Sequence, residues 1–335
     1  MAIPKVLIIR FSSIGDIVLT SPVIRCVKQQ TGGEVHFLTK KTFAATLRHN
    51  PYVDRLWTIE RDVAEIASDL VLEGFTHVVD LHGNLRSLET KQRLVWGHLL
   101  AGRRPPRLQT FNKLNFRKVL LTKFRLNRMP DVHIVDRYLA TARRLGVTND
   151  GLGLDYFTGE ERVTPPEEAY VAFVIGAAHA TKCLEEDQMV ELCRRIDLPL
   201  VLLGGPGEAA LGARIAATNG KVINACGKYS LNGSADLVRN AAVVLTHDTG
   251  LMHIAAAFRR PVVSVWGNTV PELGMYPYLP EGPKPVLAEV DDLACRPCSK
   301  IGYAACPLGH FKCMRDQKLA EITRSVLLAI ETEFL

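Results

Sequence analysis

Residues 10–20, RFSSIGDIVLT, follow the apolar run KVLII and carry a carboxylate, Asp16, in the turn after a predicted strand. A strand, a turn and a helix in this order are typical of phosphate binding, but the turn has one glycine and an acid that phosphate would repel. A carboxylate here is suited to take a proton from a substrate hydroxyl, with Ser13 beside it. It is equally suited to cap the helix that begins near Ile17, so both interpretations stay open.

Three further strand ends in the second half carry groups that suit a nucleotide-linked substrate. Asp248, Thr249 and Gly250 begin the helix after VVLTH, where free backbone N–H groups favour a diphosphate. Lys182 follows another strand and is suited to neutralise a departing phosphate. Glu208 follows the glycine-rich LLGGPGE and is suited to accept hydrogen bonds from ribose hydroxyls. An N-cap, a surface lysine and an ordinary first-turn acid are the structural alternatives.

Two neighbouring residues and two missing motifs refine this picture. His253 lies on the helix after Gly250, and Thr181 immediately precedes Lys182. His253 suits either a donor contact or a structural histidine. The sequence contains neither G-x-G-x-x-G nor the Walker G-x-x-x-x-G-K-[ST], which makes nicotinamide and ATP chemistry less favoured than another nucleotide substrate.

A cysteine cluster near the C-terminus has the spacing C-x2-C-x7-C-x6-C and encloses His310. In a cytosolic chain such a cluster favours metal binding over disulfides. The prediction is a structural zinc site, distant from the chemistry, with reduced thiols or an oxidised pair as the alternative. The candidate ligands are Cys295, Cys298, Cys306 and Cys313.

The net charge of +6 is concentrated in one window. Between Arg86 and Arg128 there are twelve lysines or arginines and one acid, Glu89. Such a window predicts an anionic partner or a solvated surface. Nucleic acid is disfavoured because the window lacks interleaved aromatic residues and a recognised motif. The residues predicted to contact an anionic acceptor are Ser13, Arg86, Arg103, Arg104 and Arg107.

The elements that must position these residues alternate in a βαβ rhythm. Apolar runs such as KVLIIRF, EVHFLTK, AYVAFVIG and AAVVLTHD are separated by helical patterns, which predicts parallel sheets covered on both faces. Residues 148–168 have glycines, Pro-Pro and no period, and read as a linker. We therefore expect two domains, 1–155 and 156–335, with ligands in the cleft between them at the strands' carboxyl ends. The final helix is free to pack back on the first domain.

The 335 residues are 47% hydrophobic and 23% charged, which is ordinary for a globular protein. The N-terminal apolar run is too short for a signal peptide, and no stretch reaches the length of a membrane span. The expected location is therefore the cytoplasm.

Taken together, RFSSIGDIVLTSPVI, the TK at 181–182, THDTGLMHIAAA and the cysteine-rich segment resemble the heptosyltransferases of glycosyltransferase family 9. DLHGNLRS and HIVDRYLATARRLG are similar to them as well, and the resemblance covers nearly the whole chain in the correct order. It implies a GT-B fold, in which two Rossmann-like domains face each other across a cleft. It implies transfer of heptose from ADP-heptose to the lipopolysaccharide inner core, with inversion and without a cofactor or catalytic metal.

The resemblance also implies roles for individual residues. Asp16 matches the family's general base and Lys182 the lysine that meets the donor phosphates. Asp248, Thr249 and Gly250 match the loop that holds the donor, and the second domain binds the nucleotide sugar while the first binds the acceptor. An anionic core acceptor would bring the protein to the cytoplasmic face of the inner membrane as a peripheral protein.

Two other functions are compatible with the sequence. One is the same fold acting on another nucleotide sugar or glycan acceptor. The other is a non-catalytic protein that binds sugar nucleotides, against which Asp16 argues because a binder needs no base.

Overall fold

The computed structural model describes residues 3–333. Contacts within the chain divide it into two α/β units. Unit 1 comprises Met1–Lys113 and Val132–Phe157, and unit 2 comprises Leu114–Asp131 and Thr158–Leu335. The segment 114–131, which the sequence assigns to the first domain, therefore groups with the second unit.

Each unit is built on a parallel sheet. The strand order is β3-β2-β1-β4-β5 in unit 1 and β11-β10-β9-β6-β7-β8 in unit 2. The strands are β1 (Lys5–Ile9), β2 (Glu34–Lys40), β3 (Arg55–Ile59), β4 (His77–Asp80), β5 (Arg107–Thr110), β6 (Val171–Val174), β7 (Leu200–Leu203), β8 (Val222–Asn224), β9 (Val243–His247), β10 (Val262–Trp266) and β11 (Val286–Glu289). The four strands quoted from the sequence form as β1, β2, β6 and β9, and β5 and β11 are edge strands that the apolar runs did not predict.

Helices follow most strands, as the rhythm predicts. They are α1 (Ile14–Val18), α2 (Ser21–Thr31), α3 (Ala67–Leu72), α4 (Leu85–Leu100), α5 (Asn115–Phe124), α6 (Ile134–Ala142), α7 (Glu186–Arg195), α8 (Ala209–Ala216), α9 (Leu231–Asn240), α10 (Gly250–Ala257), α11 (Lys312–Arg315) and α12 (Leu319–Glu333). Residues 148–168 contain no helix or strand, which agrees with the linker reading.

The central strands are buried because helices cover both faces of each sheet. In unit 1, Leu7, Ile9 and Phe11 lie in the core, and the carboxyl end of β1 pairs with the ends of β2 and β4. In unit 2, β6 and β9 are adjacent, so the loops that follow them emerge side by side. This adjacency positions the candidate site.

Two contacts attach the ends of the units to their cores. Arg25 on α2, which is buried, binds both oxygens of Asp150 at 2.8 Å and also pairs with Asp155, so the start of the linker is fixed to unit 1. The final helix α12 places Ile322 and Val326 in the core of unit 2. Among residues 3–333, no helix combines the length and apolarity needed to cross a membrane.

Candidate functional site

Unit 2 gathers the predicted donor residues at the carboxyl ends of four adjacent strands. The order β10-β9-β6-β7 places the loops containing Thr269, Asp248, Lys182 and Glu208 next to one another. Parallel strands end at the same edge of a sheet, so residues distant in sequence share one surface. The structure thus brings these predicted residues to one edge.

Lys182 and Asp248 form an ion pair within this edge. The Lys182 Nζ lies 2.6 Å from Asp248 Oδ2, and the Thr269 hydroxyl donates to the same oxygen at 3.0 Å. Both charged side chains are 13% exposed. Asp248 therefore holds the ammonium in place while leaving it accessible to an anion.

The turn that contains Thr181 and Lys182 is held in place by Tyr303, a residue far away in the sequence. The Thr181 hydroxyl donates to the Tyr303 carbonyl at 3.0 Å and accepts from the Tyr303 N–H at 2.8 Å. A Cβ on Gly267 would lie 2.8 Å from the Thr181 carbonyl, so only glycine fits there. Thr181 is buried and positions the Lys182 turn, and its predicted contact with the donor stays a prediction.

The predicted anion-binding helix is α10. Thr249 is its N-cap in extended conformation and Gly250 is its first residue, so the first backbone N–H groups point out of the strand-end loop. The Thr249 hydroxyl lies 3.3 Å from that of Thr246. His253 is 2% exposed and belongs to the buried face of α10, which agrees with the structural alternative for this residue.

Glu208 lies at the end of β7 against two glycines. Its Oε2 accepts from the Gly205 N–H at 2.7 Å. A Cβ on Gly176 would lie 2.7 Å from Glu208 Cδ, and one on Gly204 would lie 2.8 Å from Glu208 Cβ. Glu208 therefore lies tightly against this backbone. The Gly205 N–H uses only Oε2, so the second carboxylate oxygen is left for another donor.

In unit 1, Asp16 is bound by one cation and two neutral donors. Arg10 Nη2 lies 2.6 Å from Asp16 Oδ1, and the Ser13 N–H and hydroxyl donate to Oδ2 at 3.1 and 2.9 Å. Arg10 itself donates to the carbonyls of Ser12 at 2.8 Å and Leu81 at 2.6 Å. The helix begins at Ile14 and not near Ile17, so Ser13 is its N-cap and Asp16 is its third residue. Asp16 closes a capping box with the Ser13 N–H and is also oriented by a fixed guanidinium.

The residues around Arg10 determine the protonation states of two of its neighbours, Asp16 and His82. Burial by itself raises the pKa of Asp16, but the Arg10 charge and the Ser13 hydrogen bonds outweigh it, so the pKa lies below its usual value. Burial and the Arg10 charge lower the pKa of His82 to about 4. At neutral pH the cluster therefore holds an ionised carboxylate and a neutral imidazole.

The structure separates the predicted acceptor residues into two groups. Arg86 follows β4 and stands 5.6 Å over the Phe11 ring, near the Asp16 turn that contains Ser13. Arg107 instead pairs with His77 at the start of β4, which is the opposite edge of the sheet. Arg103 and Arg104 follow the far end of α4, and its sixteen residues span about 24 Å. The charge pattern could not reveal this separation.

The cysteine segment, residues 295–313, is close to the candidate site and not distant from it as predicted. Its Tyr303 makes the contacts with Thr181, next to Lys182. Cys295 Sγ lies 3.8 Å from His310 Nε2. Burial raises the pKa of the Cys313 thiol to about 11, and the neighbouring cysteines add to the rise. Within residues 3–333, no three of the four sulfurs lie within 4.8 Å of one another.

One group of side chains in unit 1 has the spacing of metal ligands, Glu34, His36 and Glu73. Lys5 Nζ already lies 3.2 Å from Glu34 and 2.6 Å from Glu73. His36 accepts from Trp57 Nε1 through Nδ1 and contacts Glu34 through Nε2. Because both ring nitrogens and both acids are engaged, this cluster is a closed ion-pair network.

A surface pocket of about 450 Å³ in unit 2 lies beside Leu121 and Arg296. Its other charged lining residues are Glu272, Glu289, Asp291 and Asp292. Four acids against one arginine would repel a diphosphate, so the pocket does not suit the donor. The strand-end edge that contains Lys182 suits the donor instead.

Sequence reasoning missed Arg10 and Thr269, the residues that hold the two key carboxylates. Arg10 directly follows β1 in RFSSIGD, and this placement beside the candidate base is the available signal. Thr269 lies in PVVSVWGNTVP, which follows THDTGLMHIAAA in the resemblance to the family but carries no charged residue that would mark a role.

Two parallel α/β units with functional groups at their strand ends define a GT-B architecture. A solved structure of a glycosyl transferase family 9 protein from Veillonella parvula matches with a TM-score of 0.76 at 18% identity, covering 99% of each chain. The E. coli heptosyltransferase WaaC with ADP matches with a TM-score of 0.63 at 25% identity, covering 80% of this chain and 88% of that one. The predicted fold class is confirmed.

Sequence comparison gives the family. The model for glycosyltransferase family 9 (heptosyltransferase) matches residues 115–302, more than half of the chain. Lipopolysaccharide heptosyltransferase 1 of E. coli K12 is 27% identical over 300 residues, covering 80% of this chain and 89% of that relative. The chain belongs to glycosyltransferase family 9. It is a glycosyltransferase, as the resemblance predicted.

The electrostatics of the Asp16 cluster can be tested directly. Arg10→Met removes the cation beside the partly buried carboxylate, so the pKa of Asp16 should rise from its lowered value. This pKa is measured by following the ¹³C chemical shift of the side-chain carboxyl carbon against pH in protein labelled at aspartate. Asp16→Asn assigns the signal. The exposed Arg48→Met is the control and should leave the signal unchanged. An unaltered titration in Arg10→Met would contradict the assignment of Arg10 as the controlling charge.

Proposed function

We propose that this glycosyltransferase moves heptose from ADP-heptose to the lipopolysaccharide inner core with inversion, and that Asp16 is the general base. The observation that carries the proposal is the Asp16 carboxylate, which Arg10 keeps ionised at the carboxyl end of β1. The donor class is supported by the relative solved with ADP and by the family model.

The base has unused capacity for a substrate. A carboxylate has about four lone-pair sites, and Arg10 and Ser13 supply three hydrogen bonds to Asp16. An acceptor hydroxyl can donate to the remaining site and transfer its proton as its oxygen attacks the anomeric carbon. The new glycosidic bond forms as the bond from the anomeric carbon to the ADP oxygen breaks, and attack opposite the leaving group inverts the centre.

The leaving ADP is assigned to unit 2. Its diphosphate would meet the first N–H groups of α10 at Thr249 and Gly250, and its growing charge would be balanced by Lys182. Asp248 holds that ammonium in advance, so it need not reorganise during the reaction. The free oxygen of Glu208 is assigned to the ribose hydroxyls.

The acceptor is assigned to unit 1 through Ser13 and Arg86. The inner core carries carboxylates and phosphates, so a guanidinium near Asp16 would orient it by charge. Such an acceptor is anchored in a membrane, which makes the protein a peripheral partner of that surface.

Asp16→Asn tests the base. Asparagine keeps the size of aspartate and can still accept from Ser13 but cannot take the proton, so turnover should fall at least about 10²-fold with unchanged donor affinity. Loss of the charge pair with Arg10 should lower the melting temperature without unfolding the protein at the assay temperature. Transfer is measured by mass spectrometry of the acceptor product after incubation with ADP-heptose. The exposed Asp69→Asn serves as the matched control. Near wild-type transfer by Asp16→Asn would show that Asp16 is only a cap.

Lys182→Ala tests the stabilisation of the leaving group. A preorganised cation acts mainly in the transition state, so kcat should fall roughly 10²-fold or more. The exposed Lys300→Ala should keep wild-type kinetics. An unchanged kcat with a raised KM would assign Lys182 to uniform substrate binding instead.

We also propose that the cysteine segment takes a structural zinc ion through Cys295, Cys298, Cys306 and Cys313. Four thiols within nineteen residues, with His310 beside Cys295, have the ligand chemistry that zinc prefers. Binding one ion would require the sulfurs to move closer together than they lie in this structure. Bound metal would cross-link the segment. Because Tyr303 hydrogen-bonds Thr181, a rigid segment would also stabilise the turn that contains Lys182.

Elemental analysis of protein purified without chelator should find about one equivalent of zinc. Cys298→Ser combined with Cys306→Ser should remove it and lower the melting temperature, while Cys183→Ser outside the segment should retain it. Less than about a tenth of an equivalent of any transition metal in the unmodified protein would reject the site.

A further inference from the structure

Helix α4 has its polarity reversed. Its buried face consists largely of polar side chains, Ser87, Thr90, Lys91 and His98, with Leu94 as the apolar member. Its outer face carries large apolar side chains at positions that fall on one side of a helix, Leu85, Leu88, Trp96, Leu99 and Leu100. A surface helix normally shows the opposite arrangement.

Lys91 and Ser87 on the polar inner face bind residues of the sheet of unit 1. Lys91 Nζ lies 2.7 Å from Asp80 Oδ2 and donates to the Thr110 hydroxyl at 2.7 Å. Ser87 donates to the same Asp80 oxygen at 2.8 Å, and His98 Nδ1 contacts the Leu94 carbonyl. The orientation of α4 is therefore fixed by these contacts, and the apolar side is held outward.

The outer face is exposed to an unusual degree. Leu85 is 85% exposed, Trp96 64% and Leu100 87%. Leu72 at the end of α3 is also exposed, and its carbonyl accepts from Arg103 Nη1 at 3.3 Å, so the apolar surface continues beyond α4. A contiguous apolar surface of this kind marks an interaction site.

The surrounding charges identify the partner. Arg93 lies on α4, and Arg103 and Arg104 follow its end, all of them exposed. The acid on α4, Glu89, is paired with Arg93 at 2.8 Å. An apolar strip with a tryptophan and flanking arginines has the composition of a helix that lies in the interface of an anionic membrane.

We propose that the outer face of α4 docks this protein on an anionic phospholipid bilayer. Trp96, Leu99 and Leu100 enter the boundary between headgroups and acyl chains, while Arg93, Arg103 and Arg104 contact lipid phosphates. A second copy of the chain fits less well, because a two-fold contact would bring the same arginines of both copies together. The proposal rests on the proposed function only in naming the membrane that carries the acceptor.

Trp96 reports on this docking without any added label. The chain has three tryptophans, and Trp57 and Trp266 are 6% and 1% exposed. Vesicles of phosphatidylcholine with about one third phosphatidylglycerol should shift Trp96 emission to the blue, and brominated acyl chains should quench it. Pure phosphatidylcholine should give a smaller shift, added salt should weaken the effect, and Trp96→Phe should abolish it.

A pair of matched variants tests the apolar contact by vesicle sedimentation. Leu99→Gln with Leu100→Gln should weaken binding at least about tenfold, since each leucine loses the favourable transfer of a buried side chain. Leu327→Gln with Leu328→Gln alters two adjacent exposed leucines on α12 and should bind as the unmodified protein does. All four positions are exposed, so the melting temperatures should stay equal.

Several results would overturn the proposal. They are an absent blue shift with anionic vesicles, equal loss of binding in the α12 control, or a concentration-dependent shift without vesicles together with dimerisation. Asp16→Asn separates this proposal from the proposed function, because it should bind vesicles normally. Normal transfer to a solubilised acceptor with no vesicle binding would reject the docking alone, and vesicle binding without transfer would reject the reaction alone.

Discussion

A partly buried ion pair lies at the carboxyl edge of each parallel sheet, and each pair holds the loops at that edge in a defined conformation. Burying a lone charge is costly, so each charge requires a partner fixed by further hydrogen bonds. Arg10 satisfies this in unit 1 by binding Asp16 and two backbone carbonyls. In unit 2, Thr269 supports Asp248 as it holds Lys182. In both cases the candidate functional group is oriented by contacts within its own unit.

The sequence predicted the central strands and the site loops well, because both leave local signals. Strands buried on two faces are continuous apolar runs, and strand ends with glycine and charge mark loops. The edge strands β5 and β11 were missed for the same reason. RLQT and VLAE are only partly covered, so they lack the apolar run of a central strand. The contact of Arg10 with the Leu81 carbonyl is a tertiary one that sequence spacing does not reveal.

The count of charges between Arg86 and Arg128 predicted one basic surface, but the side chains of this window have different surroundings in the structure. Lys91 belongs to the basic window but is buried against Asp80, so it adds nothing to the surface. Arg125 uses its guanidinium to bind the carbonyls of Ala294, Cys295 and Pro297 within unit 2. The window is therefore three things in the structure: an arginine near the candidate base, a group at the far edge of the sheet, and a clamp on the cysteine segment.

The reversed polarity of α4 follows from what the helix must hold. Asp80 ends β4 and accepts from the backbone of His82 and Gly83, which shapes the loop that leads to Arg86. A fully buried carboxylate in that place requires Lys91 and Ser87 on the inner face of the helix. Because the inner face of α4 consists largely of polar contacts, Leu94 is its buried apolar contribution to the core, and the outward Leu85, Leu99, Leu100 and Trp96 do not pack in the core of unit 1. Their retention on the outside is explained by a partner outside the protein, and the arginines around them require that partner to be anionic.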